Sequence, residues 1–287
     1  MIKLTNPQAE IFFPSGVTNL TNLSKTTHLA VGAHQDDIEI FAVHGILEAY
    51  SHPDKYFTGV TVTDGRGAPR SGSYANISDD ELWEIRCSEQ KTAAEIGNYH
   101  AQILLNYSSH TIKSSHSNTL VHDLKQILTA TMPEVIYTHN LADKHDTHVA
   151  VALALIQALR ELNPIFIDTT VYGCEVWRDL DWLPDDLKVA LDVSAHPDLQ
   201  EALLSVFESQ IAGGKRYDLA TMGRRLANAT YYQSHQTDSA DYVVYAMDLS
   251  PLVRAPETII EDFLGTIINH FEKDVRNRLK RLRKQAD

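Results

Sequence analysis

At 287 residues, with 43% hydrophobic and 22% charged side chains, the chain has the composition of an ordinary soluble globular protein with room for one large core. A net charge of −13 argues against a nucleic-acid surface spread over the molecule, and no apolar run approaches the ~18 residues that a membrane span needs. Cys87 and Cys174 are too few and too far apart for a disulfide framework, and residues 1–7 lack the start of a secretory signal, so a cytoplasmic protein is expected.

Strands and helices alternate through the first half. A short strand over 27–32 leads to a helix over about 39–51, with Ile40, Val43, His44 and Leu47 on one face. A second strand over 56–63 runs into a Gly-rich loop over 64–72. Ser78 and Glu81 have the spacing of a capping box, opening a helix with Leu82, Ile85, Ala93 and Ile96 inward and a stop at Gly97-Asn98. A strand over 101–105, a helix marked by Leu120, Leu124, Ile127 and Leu128, and a strand over 135–138 follow. The next helix presents Val149, Ala152, Leu153, Ile156 and Leu159 together. Strands separated by helical patterns of 10–15 residues predict crossovers and a parallel sheet. Beyond about residue 163 the pattern loosens. Strands are expected over 166–176, 189–193 and 242–247, and helices over 197–211, 218–231 and about 257–284. No linker is evident, so 1–287 reads as one domain, a core over about 25–163 with a C-terminal elaboration over about 164–287.

Two clusters stand where buried strands end, the place where open α/β sheets put their ligands. In Ala33-His34-Gln35-Asp36-Asp37, His34 and Asp37 have the spacing to share a metal ion, which leaves Asp36 free to act as a base. The alternative is an Asx-type turn in which either aspartate caps the next helix. In Asp143-Lys144-His145-Asp146-Thr147-His148, His148 can supply a third ligand from the start of its helix. His145, one turn earlier, can polarise a carbonyl without binding the metal. Here the alternative is Thr147 as an N-cap with His148 merely exposed. The two clusters together favour a zinc hydrolase.

The first cluster, with Glu39-Ile40 after it, resembles the Ala-His-Pro-Asp-Asp motif of the LmbE/PIG-L family of zinc-dependent N-acetyl-sugar deacetylases. Residues 145–148 resemble that family's His-Pro-Asp-His motif. Arg86 with Glu89, then Ala93-Ala94 and Ile96-Gly97, looks like its Arg-x-x-Glu helix, and Ser209-Gln210 resembles a weaker Ser-Gln element. The likeness is good over 27–160 and poor beyond. It implies an α/β, Rossmann-like, mostly parallel sheet with helices on both faces, in which the first and fourth strands are neighbours. It also implies one zinc on His34, Asp37 and His148, with Asp36 deprotonating water and His145 stabilising the oxyanion. Arg86 would contact sugar hydroxyls or support the site, and Lys144 sits where some members place an Arg. Gln35 replaces the motif's Pro. The second motif reads His-Asp-Thr-His, which leaves open whether Asp143 or Asp146 orients His145.

Other features are less specific. The 64–72 loop can cover the substrate through Asp64, Arg66 or Arg70, or can be a plain surface loop. No Lys-Ser/Thr follows it to complete a phosphate loop. Seven Lys or Arg between Lys273 and Lys284 read as a solvated helix face before a nucleic-acid contact. Leu279 and Leu282, with Phe263, Ile267 and Ile268, can instead pack on a partner subunit of a homo-oligomer. His44, His52, His110, His116, His122 and His270 lack metal-ligand neighbours and read as ordinary histidines. The expected partner is a small amino-sugar substrate, with no nucleic acid and no membrane. The competing functions are a two-metal phosphoesterase and a carbohydrate-binding protein with a relic zinc site.

Overall fold

The strands β1 (Glu10–Phe12), β2 (His28–Gly32), β3 (Phe57–Thr63), β4 (Ala101–Tyr107), β5 (Val135–His139), β6 (Thr170–Cys174), β7 (Lys188–Asp192) and β8 (Val243–Asp248) form one sheet in the order β1-β4-β3-β2-β5-β6-β8-β7. In this computed structural model residues 2–16, 19–114 and 118–283 are described; His116 and Lys284 lie outside them. The five central strands, β4 to β6 in that order, are parallel, and β1, β8 and β7 add antiparallel edges. β2, β3 and β4 are buried along their whole length, as strands covered on both faces must be, which is why they read as apolar runs and not as alternating ones.

β2 pairs with β3 on one side and with β5 on the other, in register His28↔Val135 through Val31↔Thr138. The chain reverses its winding direction between β2 and β5, so the ends of these two strands flank a crevice. The expected adjacency of the first and fourth parallel strands is present.

Helices α1 (Asp37–Phe41), α2 (Val43–Ser51), α3 (Asp79–Ile96), α4 (Ser109–Lys113), α5 (Asn118–Thr131), α6 (Asp146–Glu161), α7 (Pro197–Ser205), α8 (Glu208–Ile211), α9 (Tyr217–Tyr231), α10 (Ser250–Arg254) and α11 (Ile260–Arg283) complete the fold. Side-chain alternation along β2 separates two apolar layers. Leu29 and Val31 join the cluster that includes Leu124, Leu128, Leu155 and Leu159 of α5 and α6, whereas Ala30 joins the one with Ile38, Ile46 and Ala93 of α1, α2 and α3.

Several expectations need correction. The single helix over 39–51 is two, broken at Ala42 (φ −103°, ψ 15°). That over 197–211 is α7 and α8, separated at Val206 and Phe207. In α6, whose first turn buries Thr147 and His148, the helical repeat places Val151, Leu155 and Ala158 inward and turns Leu153 outward at 40% exposure. α3 opens on the expected capping box: the Glu81 amide donates to Ser78 Oγ (3.2 Å) and the Ser78 amide to Glu81 Oε2 (2.7 Å). Its buried face is Leu82, Arg86, Glu89, Gln90, Ala93 and Ala94, while Ile96 is exposed. Hydrophobic periodicity misjudged this helix because part of its inward stripe is polar. In the C-terminal third, β6, β8 and β7 extend the same sheet.

Candidate metal centre and catalytic cleft

The turn after β2 is held tightly. Asp36 has φ 91°, a region that costs a non-glycine residue on the order of 1 kcal/mol or more, so its surroundings must impose it. Gln35 Nε2 donates to the Thr63 carbonyl (3.1 Å), Arg86 Nη2 donates to the Gln35 carbonyl (2.7 Å), and the Asp36 amide reaches Gln90 Oε1 (3.4 Å). Gln35 thus pins by hydrogen bonding a turn that a proline would stiffen by its ring. Gly65 (φ 72°) leaves the necessary room, because a Cβ there would come within 2.4 Å of Gln35 Oε1.

Asp37 is the first residue of α1, and its Oδ2 accepts from the His34 amide at 2.6 Å. From the other strand, His148 stands in the first turn of α6. Donor atoms of three residues converge: His34 Nδ1 lies 3.2 Å from Asp37 Oδ2 and 3.2 Å from His148 Nε2, and His148 Nε2 lies 3.4 Å from Asp37 Oδ1. Ligands about 2.0–2.1 Å from a tetrahedral ion are separated by roughly 3.3–3.4 Å, so the three residues fit one small divalent cation. Burial lowers the pKa of His34 and keeps its imidazole in the neutral form that binds metal. Burial alone would raise Asp37, but the imidazoles of His148, His139 and His34 hold its carboxyl below its ordinary range.

The structure adds residues that sequence reasoning passed over. His139, the last residue of β5, is fully buried, stacks on His148 with ring centroids 3.8 Å apart, and has Nε2 3.5 Å from Asp37 Oδ2. Two other donor groupings are also geometrically close, His34 with His145 and His148, and Asp37 with His139 and His148. They share His148, so they compete for one ion. His139 Nε2 already accepts from the Ala33 amide (2.9 Å), which commits its lone pair and leaves it a packing support behind the cleft. Its position directly after an apolar strand was the available signal.

Asp143 settles the open question about the second motif. Its Oδ2 lies 3.5 Å from His148 Nδ1 and accepts from the Trp177 amide (3.1 Å), and its Oδ1 accepts from the His145 amide (2.9 Å). It therefore orients His148 and the backbone of His145, not the His145 ring. Asp146 is exposed at the start of α6. Burial lowers His145 to about 4, helped by His148 and His34, so its ring is neutral near pH 7.

The cleft over these residues has a volume of about 490 Å³, and Asp36, Arg86 and His145 line it. Burial pushes the Asp36 carboxyl well above the ordinary carboxylate range, opposed by Arg86, whose Nη2 is 3.6 Å away. Asp64, Arg66 and Lys144 are not among its walls. The Arg66 guanidinium is bound by Asp64 (3.0 Å) and Asp80 (3.1 Å) and lies 4.2 Å over the Trp83 ring; Lys144 is exposed. The 64–72 loop instead offers Gly65, Gly67, Ala68 and Pro69, and Arg70 is paired with Asp79.

The opposite wall comes from the C-terminal third: Val176, Trp177, Gln210, Lys215 and Tyr217. Two buried contacts tie that wall to the core. Glu89 of α3 accepts from the Ser209 amide (2.8 Å) and Oγ (2.7 Å). Arg225 of α9 donates to the Glu39 (2.8 Å) and Ile40 (3.1 Å) carbonyls at the end of α1, satisfying groups that a short helix leaves open.

A mostly parallel sheet with His/Asp clusters at its switch point defines an α/β protein whose strand ends bring together residues that could hold a metal ion. Residues 29–159 match the family model described as PIG-L: GlcNAc-PI de-N-acetylase. The protein described as "Uncharacterized deacetylase YaiS" of Escherichia coli (strain K12) is 30% identical over 142 residues, covering 48% of this chain and 70% of that one. The chain belongs to the PIG-L (LmbE-like) family of deacetylases. Among solved structures, N,N'-diacetylchitobiose deacetylase from Pyrococcus horikoshii superposes with TM-score 0.59 at 17% identity, covering 86% of this chain and 92% of that one. GalB, the 4-carboxy-2-hydroxymuconate hydratase from Pseudomonas putida KT2440, gives TM-score 0.60 at 18% identity, over 78% and 96%. At such identities these two speak for the fold alone, and the fold evidently serves more than one named chemistry.

Proposed function

We propose that the protein is a one-zinc N-deacetylase that removes an acetyl group from an N-acetylated amino sugar or its conjugate. The observation that carries this reading is the convergence of His34, Asp37 and His148 to within 3.2–3.4 Å of one another beside a cleft lined by Asp36. When bound, zinc supplies a Lewis acid and a water of lowered pKa. Asp36 takes a proton from the attacking water and returns it to the departing amine, a role suited to a carboxyl whose pKa burial has raised. His145, neutral in the cleft, donates an N–H to the oxygen that gains charge. Arg86 holds the Gln35–Asp36 turn and keeps the base aimed at the cleft. Trp177 and Tyr217 give the sugar an apolar face to stack on.

With His139 Nε2 committed to the Ala33 amide, one set of donors around His148 is left, which supports one ion and not a two-metal phosphoesterase. The test is acetate release from a panel of N-acetylated amino sugars and their conjugates, by zinc-replete and by chelated protein. Turnover that chelation abolishes and zinc restores is expected. A protein that binds one equivalent of zinc and hydrolyses no acetamide would count against the reading.

A further inference from the structure

From residue 272 to 283 every side chain of α11 is exposed, so the last turns of this helix project about 18 Å beyond Phe271, whose ring meets Trp182 of the body edge-on with centroids 6.4 Å apart. An exposed helix end of this kind gains from a packing partner, since most helical stability in proteins comes from packing an apolar face. The projecting part is nonetheless amphipathic. Ile268, Phe271, Val275, Leu279 and Leu282 are all exposed, and at 100° per residue they fall within about 80° of one another, the narrow stripe of a helix–helix seam.

We propose that this seam is a homodimer interface, in which α11 of a second copy of the chain packs antiparallel about a two-fold axis at Val275. That register sets Val275 against itself, Phe271 against Leu279, and Ile268 against Leu282, so every exposed apolar residue of the stripe meets another. The charges agree with it. Beside the stripe acids precede Val275 and bases follow it, Lys273 standing on the opposite face: within one chain Glu272 pairs with Arg276 (2.6 Å) and Asp274 with Arg278 (3.0 Å). Antiparallel packing repeats both pairings across the interface. Parallel packing would set the basic run from Arg276 to Arg283 against its own copy, and like charges so placed repel. Among the described residues Lys280, Arg281 and Arg283 have no carboxylate within ion-pair reach. This inference is independent of the proposed catalytic activity.

Sedimentation velocity of the full chain across the micromolar range tests it. A dimer is expected, and the Leu279→Asp/Leu282→Asp variant, altered only where the helix leaves the body, should dissociate with a constant raised at least roughly tenfold. Circular dichroism and thermal unfolding of the body should not change. Under mild oxidation Val275→Cys should form a disulfide-linked dimer, with the parent chain and its two cysteines as baseline, and Leu282→Cys should not. A monomer at every concentration, a dimer indifferent to the double substitution, or equal cross-linking at 275 and 282 would overturn the proposal. So would a monomer whose seam binds anionic vesicles, which would assign it to a membrane surface.

Discussion

The two sides of the cleft are built by different means. On the core side, the turn after β2 and the first turn of α6 are fixed by a dense set of hydrogen bonds: Gln35 to Thr63, Arg86 to Gln35, the His34 amide to Asp37, and the His145 amide to Asp143. Donor atoms are thereby held at separations that one ion can bridge. On the C-terminal side, Val176, Trp177 and Tyr217 present mostly apolar surface, joined to the core at a few points such as Glu89–Ser209 and Asp143–Trp177. Chemistry needs positions fixed to a fraction of an ångström, and recognition of a bulky group needs shape. A family can therefore keep the first side and vary the second.

That contrast predicts graded effects. His148→Ala removes a donor and leaves Asp37 facing an empty volume; zinc stoichiometry measured by mass spectrometry should fall to near zero, and acetate release should fall to background. Asp36→Asn should keep the ion but lower kcat roughly 100- to 10,000-fold, the usual worth of a general base, read from steady-state kinetics beside the same metal assay. Retained activity in that variant would remove Asp36 from the chemistry. Trp177→Ala touches the other wall. It should raise KM by about 3- to 10-fold with metal content and kcat little changed, whereas Arg66→Ala, whose guanidinium is engaged away from the cleft, should change KM less than about twofold.

The smallest effect lies at the opposite end of β2 and separates fold from site. Burial, aided by Lys55, lowers His28 to about 4 from an ordinary 6.5. The unfolded chain therefore binds a proton between those values that the folded chain refuses. The stability owed to neutral His28 is complete above pH 6.5 and is lost as pH falls towards 4. His28→Asn should make the acid-side decline of Tm in that window shallower than in the parent, without altering zinc content.

The sequence carried much of the core side and little of the wall. His34 and Asp37 sit within a few residues of the end of β2, where local spacing maps onto spatial proximity, and His148, nine residues beyond β5, was legible only through the His-x-x-His spacing at the start of its helix. His139 was lost to a strand boundary placed one residue early. Arg86 and Glu89 were visible only through a motif, since a polar inward stripe on α3 gives no hydrophobic period, and Ile85 and Ile96 suggested a different face. Trp177 and Tyr217 had no local signal. They reach the cleft because β6 extends the sheet beside β5 and α9 packs back over α1, which are long-range placements that periodicity does not encode.

A crystal structure of the zinc-loaded protein, with anomalous scattering recorded at the zinc edge, probes the central claim most directly. One peak is predicted, about 2.0–2.2 Å from His34 Nδ1, Asp37 and His148 Nε2, with Asp36 and His145 outside the coordination shell. Two peaks, or a single ion held by His139 or His145 in place of His34 or Asp37, would contradict it.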